Sequence, residues 1–221
     1  MKGLRIFGDY LFEYFVITLL LVLSFVLIIP FIPIFIGVVS YFRRKIDDRM
    51  FKDIFKPIKD NFKIIILFTI FELILLIFSA LNIYYMNTNP EQMSTFMLFI
   101  SYVGLIIGAY LLIHSPVVIL DMKVNFRQLL FNSIFLIMGG FKNTLLCIVC
   151  VLAYVFIGIA MPYLMILGIY FIPFVISKFT SKNIIQLKAI RMNTTVAELT
   201  RLENQDDYLD ENYFVNHEDE K

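Results

Sequence analysis

Tryptophan is absent from this 221-residue chain, and cysteine occurs only twice. Without Trp, any aromatic belt at a membrane–water boundary has to be built from Tyr and Phe. Both cysteines, Cys147 and Cys150, stand inside the apolar run LLCIVCVL, so they cannot form an extracellular disulfide framework. Their C-x-x-C spacing suits redox or zinc chemistry. No further cysteine and no nearby histidine completes a tetrahedral set, and small buried residues are the better reading. A Walker A loop, an H-E-x-x-H pair, a Gly-x-Ser-x-Gly elbow and an acid-rich phosphotransferase motif are missing as well. The sequence carries no catalytic constellation; it predicts a non-enzyme with no cofactor and no metal.

What is present is apolar. Hydrophobic residues make up 60% of the chain and the mean hydropathy is +0.82. Soluble domains sit nearer half apolar, and long uncharged runs mark membrane spans. The first run is too long for a signal-peptide core, and no small-residue cleavage site follows it. The expectation is an all-α membrane protein with a helical domain over 1–182 and five spans, at about 14–39, 64–85, 95–118, 144–159 and 162–177. Pro30 and Pro33 should bend the first span. The last two come from dividing the uncharged run 144–177 at a tight turn near 158–162. A cytoplasmic tail over 183–221 follows; a short helix is expected at 181–193 and acidic disorder from about 198.

Orientation rests on the stretch SYFRRKIDDRMFKDIFKPIKDNFK, 40–63, which holds Arg43, Arg44, Lys45, Arg49, Lys52, Lys56, Lys59 and Lys63. A short loop this rich in Lys and Arg stays in the cytoplasm. The connectors 86–94 and 158–162 contain neither residue. Five spans then put the N terminus outside, with Lys2 and Arg5, and the C terminus inside. Within the stretch Phe51, Ile54, Phe55, Ile58 and Phe62 form one helical stripe, flanked by Lys52, Lys56, Lys59 and Lys63 on one side and Asp53 and Asp60 on the other. Pro57 should kink that helix or start a second one there. An apolar stripe edged by lysines suits a helix on anionic lipid; it also suits a docking surface for a cytoplasmic partner. Nucleic acid is not expected, because the charge borders a membrane stripe.

A few polar residues interrupt the spans. Glu72 is the one acid well inside them, and an ionised carboxylate there costs at least about 2.5–3.5 kcal/mol. It reads either as a proton, cation or polar-solute site or as a structural carboxyl bonded to hydroxyls or to His114. His114, in HSPV, is a candidate partner for Glu72 or a satisfied interfacial histidine. Asp121, Asn125, Gln128 and Asn132 recur at i, i+4, i+7 and i+11. That polar stripe fits a neutral polar ligand or a water-facing helix side. Gly104 and Gly108 permit close helix packing within the chain. Finally, Asn61-Phe62-Lys63 before the second span echoes Phe141-Lys142-Asn143 before the fourth, either as an old duplication or as ordinary interfacial anchoring.

The segments PFIPIFIG, VVSYFRRK, FKDIFKPIKDNFK and FKNTLL, with the double-length apolar run after them, resemble the YesL family of small bacterial membrane proteins of undetermined biochemical role. The resemblance runs to about Lys182. Val38 stands where the family often places a second proline, and the acidic tail looks peculiar to this chain. The resemblance implies a multi-pass plasma-membrane protein, often encoded beside carbohydrate-uptake and polysaccharide-breakdown genes, and carries over no catalytic residue. The expectation that follows is an accessory or scaffold in membrane transport, touching transporter subunits. The alternative is a small polar-solute or proton-coupled permease using Glu72, which five spans would require to oligomerise. A lipid-modifying enzyme is the remotest reading.

Overall fold

A computed structural model describes residues 2–44, 50–89, 94–122 and 124–192. Among these residues there are nine α-helices and no strand: α1 (Lys2–Leu27), α2 (Phe31–Arg44), α3 (Met50–Asp60), α4 (Phe62–Thr88), α5 (Thr95–Asp121), α6 (Phe126–Gly139), α7 (Phe141–Ala160), α8 (Pro162–Gly168) and α9 (Phe171–Met192). Helix is what long uncharged runs must adopt in lipid, because it pairs every backbone N–H and C=O within the segment. Four helices are long and apolar enough to cross a bilayer: Tyr10–Leu27, Phe62–Thr88, Thr95–Asp121 and Phe141–Ala160. The pair α8 and α9, bent by 53°, makes a fifth if it counts as one broken span. The chain is thus an all-α membrane protein.

The uncharged run turns near 160–162, but the second span expected over 162–177 is broken: α8 ends at Gly168 and α9 starts at Phe171. α7 ends at Ala160, and Pro162 opens α8, where a missing N–H is harmless. The Tyr154 hydroxyl donates to the Met165 carbonyl, and Gly168 lies under the Tyr154 ring, holding α8 back along α7. α9 then continues unbroken to Met192, so the separate helix expected at 181–193 is instead the end of the last long helix. The tail beyond lies outside the described residues, and its expected disorder with it.

The first span is corrected. A kinked helix was expected over 14–39. Instead α1 stops at Leu27, Ile28 takes a left-handed φ of 62°, and α2 starts at Phe31. The break is a reversal. The Tyr41 hydroxyl bonds the Glu13 carboxylate, and Tyr14 and Phe42 both pack on the Tyr170 ring, with centroids 5.2 and 4.8 Å away. In one continuous helix, residues 13 and 41 would lie about 42 Å apart at 1.5 Å per residue. α1 and α2 are therefore antiparallel, and Glu13 lies toward the same end of the bundle as Arg43. The outside N terminus was deduced from a single continuous first span. With α2 returning, Lys2 and Arg5 fall instead toward the end that carries the basic stretch.

α2 is the centre of the molecule. Seven consecutive residues from Phe35 to Tyr41 are buried, as in a helix enclosed on all sides. It packs on α1, α3, α4, α5 and α9. At Gly37 an added Cβ would sit 2.5 Å from the Ile54 carbonyl, so the absent side chain lets α3 lie directly on α2. α5 and α6 repeat the arrangement: Ser115 and Ser133 share a hydrogen bond of 3.1 Å, and Tyr110 donates to the Ser133 carbonyl at 2.7 Å. Each unit has a helix ending at the basic end, a shorter helix folded back on it, and a long helix opened by Phe-Lys. The echo at Phe62-Lys63 and Phe141-Lys142 marks those matching starts.

Candidate functional site

The lysine-edged helix exists, but its apolar stripe serves two surfaces. Ile54 and Pro57 of α3 are buried, and Ile54 and Ile58 meet Gly37. Phe51, Phe55 and Phe62 are left 53%, 44% and 60% exposed. Lys52, Lys56, Lys59 and Lys63 are all exposed beside them. One edge therefore fixes α3 to the central helix, and the other presents Phe and Lys outward, the composition of a bilayer-interface surface. Pro57 is accommodated inside α3, and the bend comes four residues later, at Asn61. There the Asn61 side-chain amide donates to the Pro57 carbonyl at 3.2 Å.

Glu72 is fully buried, and neither carboxylate oxygen has a hydrogen-bond partner. It lies ten residues into α4, about 15 Å from Phe62, half of a hydrocarbon core about 30 Å thick. Gly108 of α5 faces it, and a Cβ there would stand 3.1 Å from Oε1 and 2.7 Å from Leu76 Cδ2. Gly104 likewise faces Ser79, so the two glycines seat α4 on α5 within one chain. His114 is also fully buried with both ring nitrogens unpartnered, and its ring stacks 4.4 Å from Tyr110. Glu72 bonds neither a hydroxyl nor His114, so the candidate pairing of the two does not form, and His114 is not the satisfied interfacial histidine of the alternative reading either. Six residues turn the α5 helix by 240°, so His114 faces away from Gly108 and Glu72.

The polar stripe is not one helix side. Asp121 ends α5, and non-helical backbone separates it from α6. Each member has its own structural task. Asn125 precedes α6 and its N–H donates to Gln128 Oε1 at 2.9 Å, one half of a capping box. Asn132 donates to Met122 Sδ at 3.5 Å. On α6, Leu129, Ser133 and Leu136 are buried, whereas Phe131, Ile134 and Phe135 are more than half exposed. Arg127 and Gln128 are exposed in the first turn of α6, and from Phe131 onward its outward side is apolar.

Two clusters had no signal in the sequence. Arg43 Nη2 donates to Asp121 Oδ2 at 2.6 Å and Nε donates to Ser181 Oγ at 2.8 Å, clasping α2, α5 and α9. Around Glu13, Tyr14 bonds the Leu167 carbonyl, Tyr41 bonds Glu13, and Tyr170 packs between Tyr14 and Phe42. Both depend on contacts between residues 28 to 156 positions apart, so local patterning could not reveal them. Cys147 is buried and free, Cys150 partly buried and free, and no metal-holding group of His, Cys, Asp or Glu occurs among the described residues. No family model, no curated protein and no solved structure matches the chain.

Proposed function

We propose that this is a non-enzymatic plasma-membrane protein of YesL type, acting as an accessory or scaffold for membrane transport. The transport class that the sequence resemblance suggests is carbohydrate uptake. The observation that supports the reading is the divided surface of α3. Ile54 and Ile58 seat the helix on Gly37 of α2, while Lys52, Lys56 and Lys59 stand clear beside Phe51 and Phe55. Such a surface engages anionic lipid through its lysines and offers a preformed helix edge to a neighbouring subunit. The experiment is photo-crosslinking from positions 52 and 59 in intact membranes, then purification in detergent. A transporter subunit should be captured, and Lys52→Glu with Lys59→Glu should release it. Absence of any crosslinked membrane partner rejects the scaffold.

A second reading has its own observation, the buried carboxylate of Glu72 near mid-membrane with no partner on either oxygen. Intramembrane acids mark ion and solute paths. On this reading the protein is a polar-solute or proton-coupled permease, and Glu72→Gln abolishes flux in proteoliposomes. Unchanged flux removes Glu72 from that role.

A further inference from the structure

A shift of 79 residues, the separation of Phe62 from Phe141, lays 110–159 over 31–80 without a gap. α3 then ends at Asp60 where α6 ends at Gly139. Burial recurs in the same register: 35–39 with 114–118, Ile54 and Pro57 with Ser133 and Leu136, and Phe68 with Cys147. A ring pair recurs as well, Phe31 against Phe35 at an interplanar angle of 34° and Tyr110 against His114 at 37°. One architecture is used twice, and each copy serves as a control for the other.

The copies differ at the seam between their first two helices. Phe35, Ile36 and Ile54 of the first stand where the second has His114, Ser115 and Ser133. An apolar ring therefore satisfies the packing at the His114 position, and the imidazole adds a capacity to take up a proton. It is fully buried with neither ring nitrogen hydrogen-bonded, so an imidazolium here would be a buried charge without compensation. The seam beside it is closed by hydrogen bonds that water can replace, between the Ser115 and Ser133 hydroxyls and from Tyr110 to the Ser133 carbonyl. His114 and Ser133 each lie seven residues, about 10 Å along the helix, from the basic end. Among the described side chains on the helices packed around α5, Glu72 sits against Gly108 on another side of it, Arg43 is clasped to Asp121, and Tyr41 bonds Glu13. Lys63, Arg127, Lys178 and Lys182 are exposed. We propose that the α5–α6 seam is a proton-operated opening: protonation of His114, which the closed seam cannot accommodate, parts α6 from α5 and admits water from the basic end. The switch stands apart from the lysine edge of α3 and from Glu72, and it depends on neither proposed function.

The test uses the full chain in detergent micelles, with Cys147 and Cys150 replaced by Ala and Ser133→Cys as reporter of the buried seam. Its rate of labelling by a maleimide is divided, at each pH, by the rate in the same chain carrying His114→Phe, the residue of the first copy. The division cancels the pH dependence of the thiol itself. With the open-state imidazole titrating at its ordinary value of about 6.5, the ratio should rise roughly ten-fold from about pH 7.5 to about pH 5.5. His114→Gln, which carries no charge in this range, serves as a second denominator and should give the same rise. Glu72→Gln should leave the rise intact. A ratio that stays level or falls on acidification against either denominator, or a rise that disappears with Glu72→Gln, overturns the proposal.

Discussion

Gly108 is a glycine because Glu72 and Leu76 of α4 occupy the space a side chain would take. The carboxylate is thereby sealed between two helices with both oxygens unanswered. An unmade hydrogen bond of a buried polar group costs about 1–3 kcal/mol. Glu72→Leu, close in volume and apolar, should therefore raise the melting temperature of the detergent-solubilised protein, followed by circular dichroism. A fall in melting temperature would mean that a bound cation or solute completes the site, which favours the permease over the scaffold. Glu72 could be found in the sequence because it is an isolated acid in an apolar run. Its neighbours could not, since Gly108 and Leu76 come together only through the pairing of α4 with α5. For His114 neither reading of the sequence appears in the structure: it is fully buried with both ring nitrogens unpartnered rather than satisfied at the interface, and closeness in depth to Glu72 says nothing about which side of a helix it faces.

At the scale of elements, α2 shows where local signals run out. Pro30 and Pro33 announce a disturbance in the first apolar run, but a bend and a reversal leave the same prolines behind. The reversal turns on Ile28, a β-branched residue in the left-handed region, where glycine would have been the readable sign. The return of α2 also explains why α3 could not lie flat as an independent surface helix. Half of its apolar stripe is committed to Gly37 of α2, and only the Phe51–Phe55 edge remains for lipid. Gly37→Ala tests that union. The new methyl would stand 2.5 Å from backbone at Ile54 and 2.9 Å from Ile58 Cδ1, so α3 must lift. Overpacking of this kind costs about 1–3 kcal/mol. Limited proteolysis should then cut within α3 faster in the variant than in the parent protein. Equal rates would show that α3 is held by other contacts.

Across the whole molecule, the reversal at Ile28 gathers charge onto one end. Arg43, Phe62, Asp121 and the Thr144–Asn183 hydrogen bond all lie there. The ends of α1, α4 and α7 and the starts of α2, α5 and α8 lie at the other end, and the sequence at 28–30, 86–94 and 158–162 contains no Lys or Arg. Tyr84, Tyr85, Phe96 and Tyr163 stand exposed around the end without Lys or Arg, and Phe51, Phe62 and Phe141 around the basic one, which supplies two aromatic belts without tryptophan. The sequence-based orientation left Lys2 and Arg5 opposite every other basic residue. Folding α2 back along α1 removes that exception, so the positive-inside tendency is now met by the N-terminal residues as well. The N terminus and the basic stretch should therefore share the cytoplasmic side. Single cysteines at positions 10, 52, 89 and 161, in a chain with Cys147 and Cys150 replaced by Ala, should separate into two classes in whole cells. A membrane-impermeant maleimide added outside should label 89 and 161 and leave 10 and 52 untouched until the cells are broken. Labelling at 10 without labelling at 52 would restore the continuous first span and separate α1 from the side that α2 gives it.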